Sequence, residues 1–158
     1  MLRPATPDDA EALVALIRGL AEYERLTQLC EVTPARLRAH LFAARPAAEA
    51  LVACDDATRA VVGFALFFPT FSTFLGRPGL WLEDLYVAPD HRGRGHGSAL
   101  IRAVAALAVE RGCGRLEWSV LDWNAPAIGF YRKLGASMLD DWRICRLTGD
   151  ALTTAARG

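Results

Sequence analysis

The stretch from Trp81 to Leu107 constrains this chain more than any other. Trp81, Leu82, Leu85, Tyr86 and Val87 have the apolar and aromatic character of a strand. Pro89 and Asp90 stop that strand. Gly93, Gly95 and Gly97 then alternate at the entrance to a helix, where Leu100, Ile101, Val104, Leu107 and Ala108 recur at helical spacing. A helix start carries unpaired backbone N–H groups and a partial positive charge. Glycines leave those N–H groups open to an anion, so the order strand, glycine turn, helix points to a phosphate or pyrophosphate ligand. A short glycine cluster can also be a plain flexible surface turn. The strand before it, the amphipathic helix after it and Arg92 at its head weigh against that.

Three phosphate motifs compete. The dinucleotide fingerprint G-x-G-x-x-G fails in both frames, because its last glycine would fall on Ser98 or on Leu100. A P-loop needs Gly-Lys-Ser/Thr, and this loop contains no lysine. The pattern R-x-x-G-x-G is met by Arg92, Gly95 and Gly97. It resembles the coenzyme A pyrophosphate loop of the GNAT acetyltransferases.

Composition narrows the classes further. With 158 residues, 53% of them hydrophobic, the chain can bury one proper core. A formal net charge of zero gives no electrostatic case for nucleic acid or for an anionic membrane. Cys30, Cys54, Cys113 and Cys145 are widely spaced, and with His40, His91 and His96 they form no metal-ligand pattern. Cysteines of this kind are ordinarily small buried residues. Free thiols without a signal peptide suggest the cytoplasm. The uncharged run Ala60–Gly76 is too short to span a bilayer. It reads as two buried strand pieces separated at Pro69.

In chain order, Leu2–Thr6 is a short first strand. Thr6, Pro7, Asp8 and Asp9 are a helix start, followed by an apolar stripe of Ala10, Leu13, Val14, Ile17, Leu20 and Ala21 that ends near Tyr23. Thr33-Pro34 opens a second helix, ended by Arg45-Pro46. Glu49–Cys54, Ala60–Phe68 and the Trp81 strand form an antiparallel meander. Phe71, Phe74 and Leu75 are either packed loop or one wall of a cleft. Gly112 and Gly114 close the central helix, and 115–121 is a strand. Asn124 caps a short helix over Ala127–Lys133, and Ala136–Leu139 and Trp142–Leu147 are two closing strands.

This order resembles the GNAT fold, and local motifs support the likeness: the Arg92 loop, Asn124-x-Pro126, and Phe130-Tyr131-x-x-x-Gly135-Ala136. Arg3–Thr6, Ala21–Glu24, Val62–Ala65, Leu82–Asp84, Trp123–Pro126 and Trp142-Arg143 are similar to the spermidine/spermine N-acetyltransferase branch. The resemblance implies a mixed α/β (α+β) fold in one domain, 1–158, with a mostly antiparallel sheet of about six to seven strands and about four helices. It implies acetyl-CoA as cosubstrate, no metal, and a homodimer. Leu85, Tyr86 and Val87 would offer backbone groups to the pantetheine arm. Arg92, Gly93, Arg94, Gly95, His96, Gly97 and Ser98 would hold the pyrophosphate, and Asn124, Pro126, Ala127, Tyr131 and Lys133 would complete the coenzyme site. Tyr23, Glu24, Glu83, Asp84 and Trp142 would face the amine. The segment Ser137–Asp141 is shorter than in the animal polyamine enzymes.

The chemistry asks for a base and an acid. An ammonium must lose its proton before it attacks a thioester, and a carboxylate can take that proton directly or through water. Glu83 is the expected base, and strand alternation sends Glu83 and Asp84 to opposite faces. Tyr131 is the expected general acid for the leaving thiolate. The expected activity is acetyl transfer to a primary amine of a small cationic acceptor. Protein N-terminal or lysine acetylation, or a coenzyme A-binding regulatory module without turnover, are the alternatives.

Overall fold

The computed structural model describes residues 1–157, in two compact units, Met1–Ser119 and a second from Val120 on. In the first unit five strands form one sheet in the order β1-β2-β3-β4-β5. They are β1 (Leu2–Pro4), β2 (Glu49–Cys54), β3 (Val61–Ser72), β4 (Arg77–Val87) and β5 (Leu116–Glu117). Neighbours are antiparallel except β4 and β5, which run parallel. Three helices accompany the sheet: α1 (Ala10–Tyr23), α2 (Pro34–Leu41) and α3 (His96–Glu110).

Local chemistry starts these helices. Ahead of α1, the Asp9 carboxylate accepts from the Thr6 N–H at 2.7 Å and takes both arms of the Arg3 guanidinium, at 2.7 and 2.8 Å. The Arg3 hydrogen bonds, more than any other cause, hold the buried Asp9 carboxyl down at about 2. Thr33 caps α2 by accepting from the Arg36 N–H at 3.2 Å, with Pro34 in the first turn. Leu13, Val14 and Leu16 of α1 and Leu37 of α2 pack with Val52, Cys54, Phe64 and Tyr86 on one face of the sheet. Each large side chain buried there contributes about 1.5–3 kcal/mol. The other face belongs to α3, where Gly97 lies against Val87 and the residue after the helix, Arg111, sits over the Phe67 ring at 5.9 Å.

Pro69 does not break β3, which continues to Ser72. Its partner Leu80 turns its N–H away and donates it to the Arg115 carbonyl at 3.1 Å. Pro69 therefore stands in a non-hydrogen-bonded pair and lies beyond the last residue of β3 that pairs with β2, so its missing donor is not needed. Beyond it, Phe74 is 99% exposed at the hairpin tip, so it neither packs nor lines a wall.

β4 carries a β-bulge. Phe67 pairs with Leu82 and Leu66 with Asp84, which leaves Glu83 as the extra residue. Leu82 thus shares the α3 face with Phe67, while Asp84 and Tyr86 share the α1–α2 face with Leu66 and Phe64. Strict alternation would have kept Leu82, Asp84 and Tyr86 together.

The expected strand over 115–121 shrinks to the two residues of β5. The second unit contains α4 (Ala125–Lys133) and α5 (Gly149–Arg157). The two closing strands expected there are absent among the described residues, which corrects the strand count to five and the α-helix count to five. The alternating pattern is real, but Trp142 and Ile144 are 77% and 68% exposed, and a strand needs a partner to form. No helix among the described residues is long and apolar enough to cross a membrane.

Candidate active site

The glycine loop has the geometry its sequence called for. A short 3-10 turn, Pro89–His91, follows β4, and α3 begins at His96 with Gly95 as its cap. Gly93 and Gly95 have φ of +75° and +85°, backbone that side-chain-bearing residues rarely adopt. A Cβ on either would meet nothing within 4 Å, so the loop faces open space. The first helical hydrogen bond of α3 runs from Ala99 to Gly95 at 2.9 Å, which leaves the N–H groups of His96, Gly97 and Ser98 at the helix entrance. These backbone donors, with the side chain of Arg94, fit an anionic pyrophosphate.

The edge of β4 fits the rest of such a ligand. The β4–β5 ladder covers only Leu80 and Trp81. From Leu82 to Val87 the edge turned away from β3 has no strand partner among the described residues, so the backbone groups of Leu85 and the Val87 N–H can meet an extended chain. Tyr86, expected to do so too, turns its backbone toward Phe64 of β3, and the Val87 carbonyl accepts from Arg92.

The bulge corrects the expectation that Glu83 and Asp84 face opposite ways. Trp81, paired with Phe68 on the α1–α2 face, donates its Nε1–H to the Glu83 carboxylate at 2.9 Å. Asp84 lies on that same face. Burial above all, then the charges of Glu83 and Glu24, push the Asp84 carboxyl up to about 7. Burial also raises Glu24, which follows the last residue of α1. Three carboxylates thus gather on the α1 side of β4, the charges of Glu83 and Glu24 both being felt at Asp84.

Arg92 is held in place. Its Nε donates to the Val87 carbonyl at 2.9 Å, and its guanidinium carbon lies 5.1 Å from the centroid of the Tyr23 ring and 5.3 Å from that of Tyr86. Asp55, read from the sequence only as a turn residue, braces the same loop. One carboxylate oxygen accepts from the N–H groups of Ala57 and Thr58; the other faces His91 Nδ1 at 3.7 Å and Arg94 at 3.9 Å. No spacing signal links a turn after β2 to a loop after β4, so only the fold reveals this contact. Trp81, as the donor to Glu83, was equally invisible, since a strand tryptophan reads first as core.

In the second unit, Asn124 caps α4 by accepting from the Ala127 N–H at 3.3 Å, with Pro126 in the first turn. Tyr131 is buried, its ring centroid 5.3 Å from that of Phe130. Lys133 ends the helix and is exposed, as is Trp142.

Comparison with known proteins agrees with this geometry. Residues 14–136 match the family described as Acetyltransferase (GNAT). Thialysine N-epsilon-acetyltransferase of Bos taurus is 38% identical, over 99% of this chain and 96% of that protein. L-ornithine N5-acetyltransferase of Arabidopsis thaliana is 35% identical, over 96% of this chain and 85% of its own. Among solved structures, an integron cassette protein from the mobile metagenome of V. cholerae superposes with a TM-score of 0.81 at 23% identity, covering 100% of this chain and 98% of that one.

Proposed function

Because this chain belongs to the GNAT acetyltransferase family, we propose that it moves the acetyl group of acetyl-CoA onto a primary amine of a small cationic acceptor by direct transfer in a ternary complex. Diamines, polyamines and basic amino-acid-like amines are the substrate class. The observation that carries this reading is the cluster of Glu24, Glu83 and Asp84 in the same unit as the glycine loop. Three carboxylates this close together suit a ligand that brings positive charge, each charge-assisted contact being worth about 1.5–3 kcal/mol. The names of the thialysine and ornithine enzymes point to acceptors of the same chemistry.

When bound, the coenzyme supplies an acetyl thioester. The chain's residues do the rest. The α3 entrance and the glycine loop hold the pyrophosphate, and the free edge of β4 aligns the pantetheine arm. Glu24, Glu83 and Asp84 fix the ammonium. The proton it loses goes to the Glu83–Asp84 pair. Glu83 is the acceptor read from the sequence, and Asp84, with a carboxyl near 7, is equipped to hold the proton at neutral pH. The amine nitrogen then attacks the carbonyl carbon, the C–S bond breaks, and the Tyr131 hydroxyl protonates the departing sulfur.

The whole chain acts in this reading as one acetyltransferase domain in the cytoplasm, and as a homodimer. The dimer is supported by the exposed, alternating Trp142 and Ile144, which have strand pattern but no strand partner among the described residues. A panel of amines tested for coenzyme A release is the experiment. Diamines and basic amino acids are expected to exceed uncharged-bodied alkylamines by about tenfold or more. A higher rate with a peptide amino terminus than with any diamine would replace the small-amine reading by protein acetylation. No turnover with any amine, despite coenzyme A binding, would leave a regulatory module.

A further inference from the structure

Arg92 heads the loop expected to hold pyrophosphate, yet its guanidinium is engaged away from that loop. Its Nε is bonded to the Val87 carbonyl, and two tyrosine rings lie within 5.3 Å of its central carbon. Both rings lead toward the carboxylate cluster. Tyr23 is the last residue of α1 and precedes Glu24, whose charge is felt at Asp84. Tyr86 stands two residues beyond Asp84, on the same face. Its hydroxyl is pinned under α1, where a Cβ on Gly19 would come within 2.8 Å of it. Gly19 and Tyr23 are four residues apart and so share one helix face, against which Tyr86 and Arg92 lie. On its other side Arg92 adjoins Gly93 and Gly95, the two positive-φ positions that give the loop its shape.

We infer that Arg92 is a positioning residue that couples the two substrates, carrying the filling of the glycine loop by an anionic coenzyme to the amine-facing end of α1 through Tyr23. The inference rests on the acetyltransferase reading. A physical difference between the filled and unfilled loop drives it. The pyrophosphate orders the glycine backbone, fixing the point from which Arg92 grips Tyr23, so the second ligand meets an end of α1 already set. Coupling of this kind is reciprocal: each ligand raises the affinity for the other by the same factor.

The test is titration of the full chain with coenzyme A, with and without saturating 1,3-diaminopropane, and the reverse titration. Wild type is expected to show the same factor of about fivefold or more in both directions. Tyr23→Leu removes the ring, and is expected to bring the factor close to one while coenzyme A still binds. Tyr23→Phe keeps a ring over the guanidinium and is expected to keep the factor. A merely structural Tyr23 would alter both affinities without altering their ratio. A wild-type factor of one, or an unchanged factor in Tyr23→Leu, overturns the inference alone. A wild-type chain that binds no coenzyme A, or coenzyme A but no diamine, overturns the functional reading and the inference with it.

Discussion

Replacing Asp84 by Asn makes the protein more stable at alkaline pH and slower as an enzyme. The stability effect follows from proton linkage. Burial and two neighbouring carboxylates lift the Asp84 carboxyl from 3.8 to about 7 in the folded chain. Between those values the folded state binds more protons than the unfolded state, so stability falls as pH rises and levels off above the folded value. A shift of about three units corresponds to about 4 kcal/mol at 1.36 kcal/mol per unit. Water reaching a half-buried carboxyl trims that to about 2–4 kcal/mol. Asn keeps the shape without the charge, so it escapes this loss. Chemical denaturation of wild type and Asp84→Asn from pH 4 to pH 9, without ligands, should give curves that diverge between about pH 4 and 7 and run parallel above about pH 8. The variant should be the more stable at the alkaline end. In the amine assay it should lose about 10²-fold or more in rate, as expected for a proton acceptor. A stability difference that stays flat from pH 5 to 8 would refute the argument, because Asp84 would then titrate alike in both states.

Three further outcomes are expected. Gly95→Asp combines a φ of +85° with a negative charge at the helix entrance, and should abolish the rise in melting temperature that acetyl-CoA gives the wild type; a retained rise would put the coenzyme elsewhere. Tyr131→Phe keeps the buried ring and should lower turnover about 10²–10⁴-fold with little change in acetyl-CoA affinity; near-normal turnover with a stability loss of about 0.5–1.5 kcal/mol would make the hydroxyl structural. Sedimentation at micromolar concentration should show a dimer, and Trp142→Asp should shift it toward monomer; a monomeric wild type contradicts the dimer.

What could be read from the sequence was what local chemistry decides. Glu49–Cys54 is a strand that stops at the expected Asp55 turn, and Thr33-Pro34 starts its helix, because an aspartate turn and a cap with proline act without distant partners. The glycine loop was legible for the same reason: its φ of +75° and +85° favours glycine. The failures were failures of partnership. Pro69 breaks strands in general, but not opposite a Leu80 that donates elsewhere. Trp142–Leu147 has the pattern of a strand and no ladder among the described residues. The pairing of Glu83 with Asp84 on one face depends on where β3 meets β4, and nothing in Leu82-Glu83-Asp84-Leu85 marks a bulge.

That extra residue at Glu83 works as a shift of reading frame. Upstream of it the even-numbered side chains of β4 serve one layer of the protein, and downstream they serve the other. Position 83 therefore carries two separable messages, a carboxylate and a unit of length. Exchanging the carboxylate removes the Trp81 hydrogen bond and the charge proposed to meet the amine and its proton, but leaves the register of β4 as it is. Deleting the residue would turn Trp81 and Leu82 over relative to Tyr86, exposing one layer's filling to the other layer's neighbours. A gap at position 83 would therefore disturb both layers as an exchange there would not, and variant libraries built across β4 should hold its residue count constant.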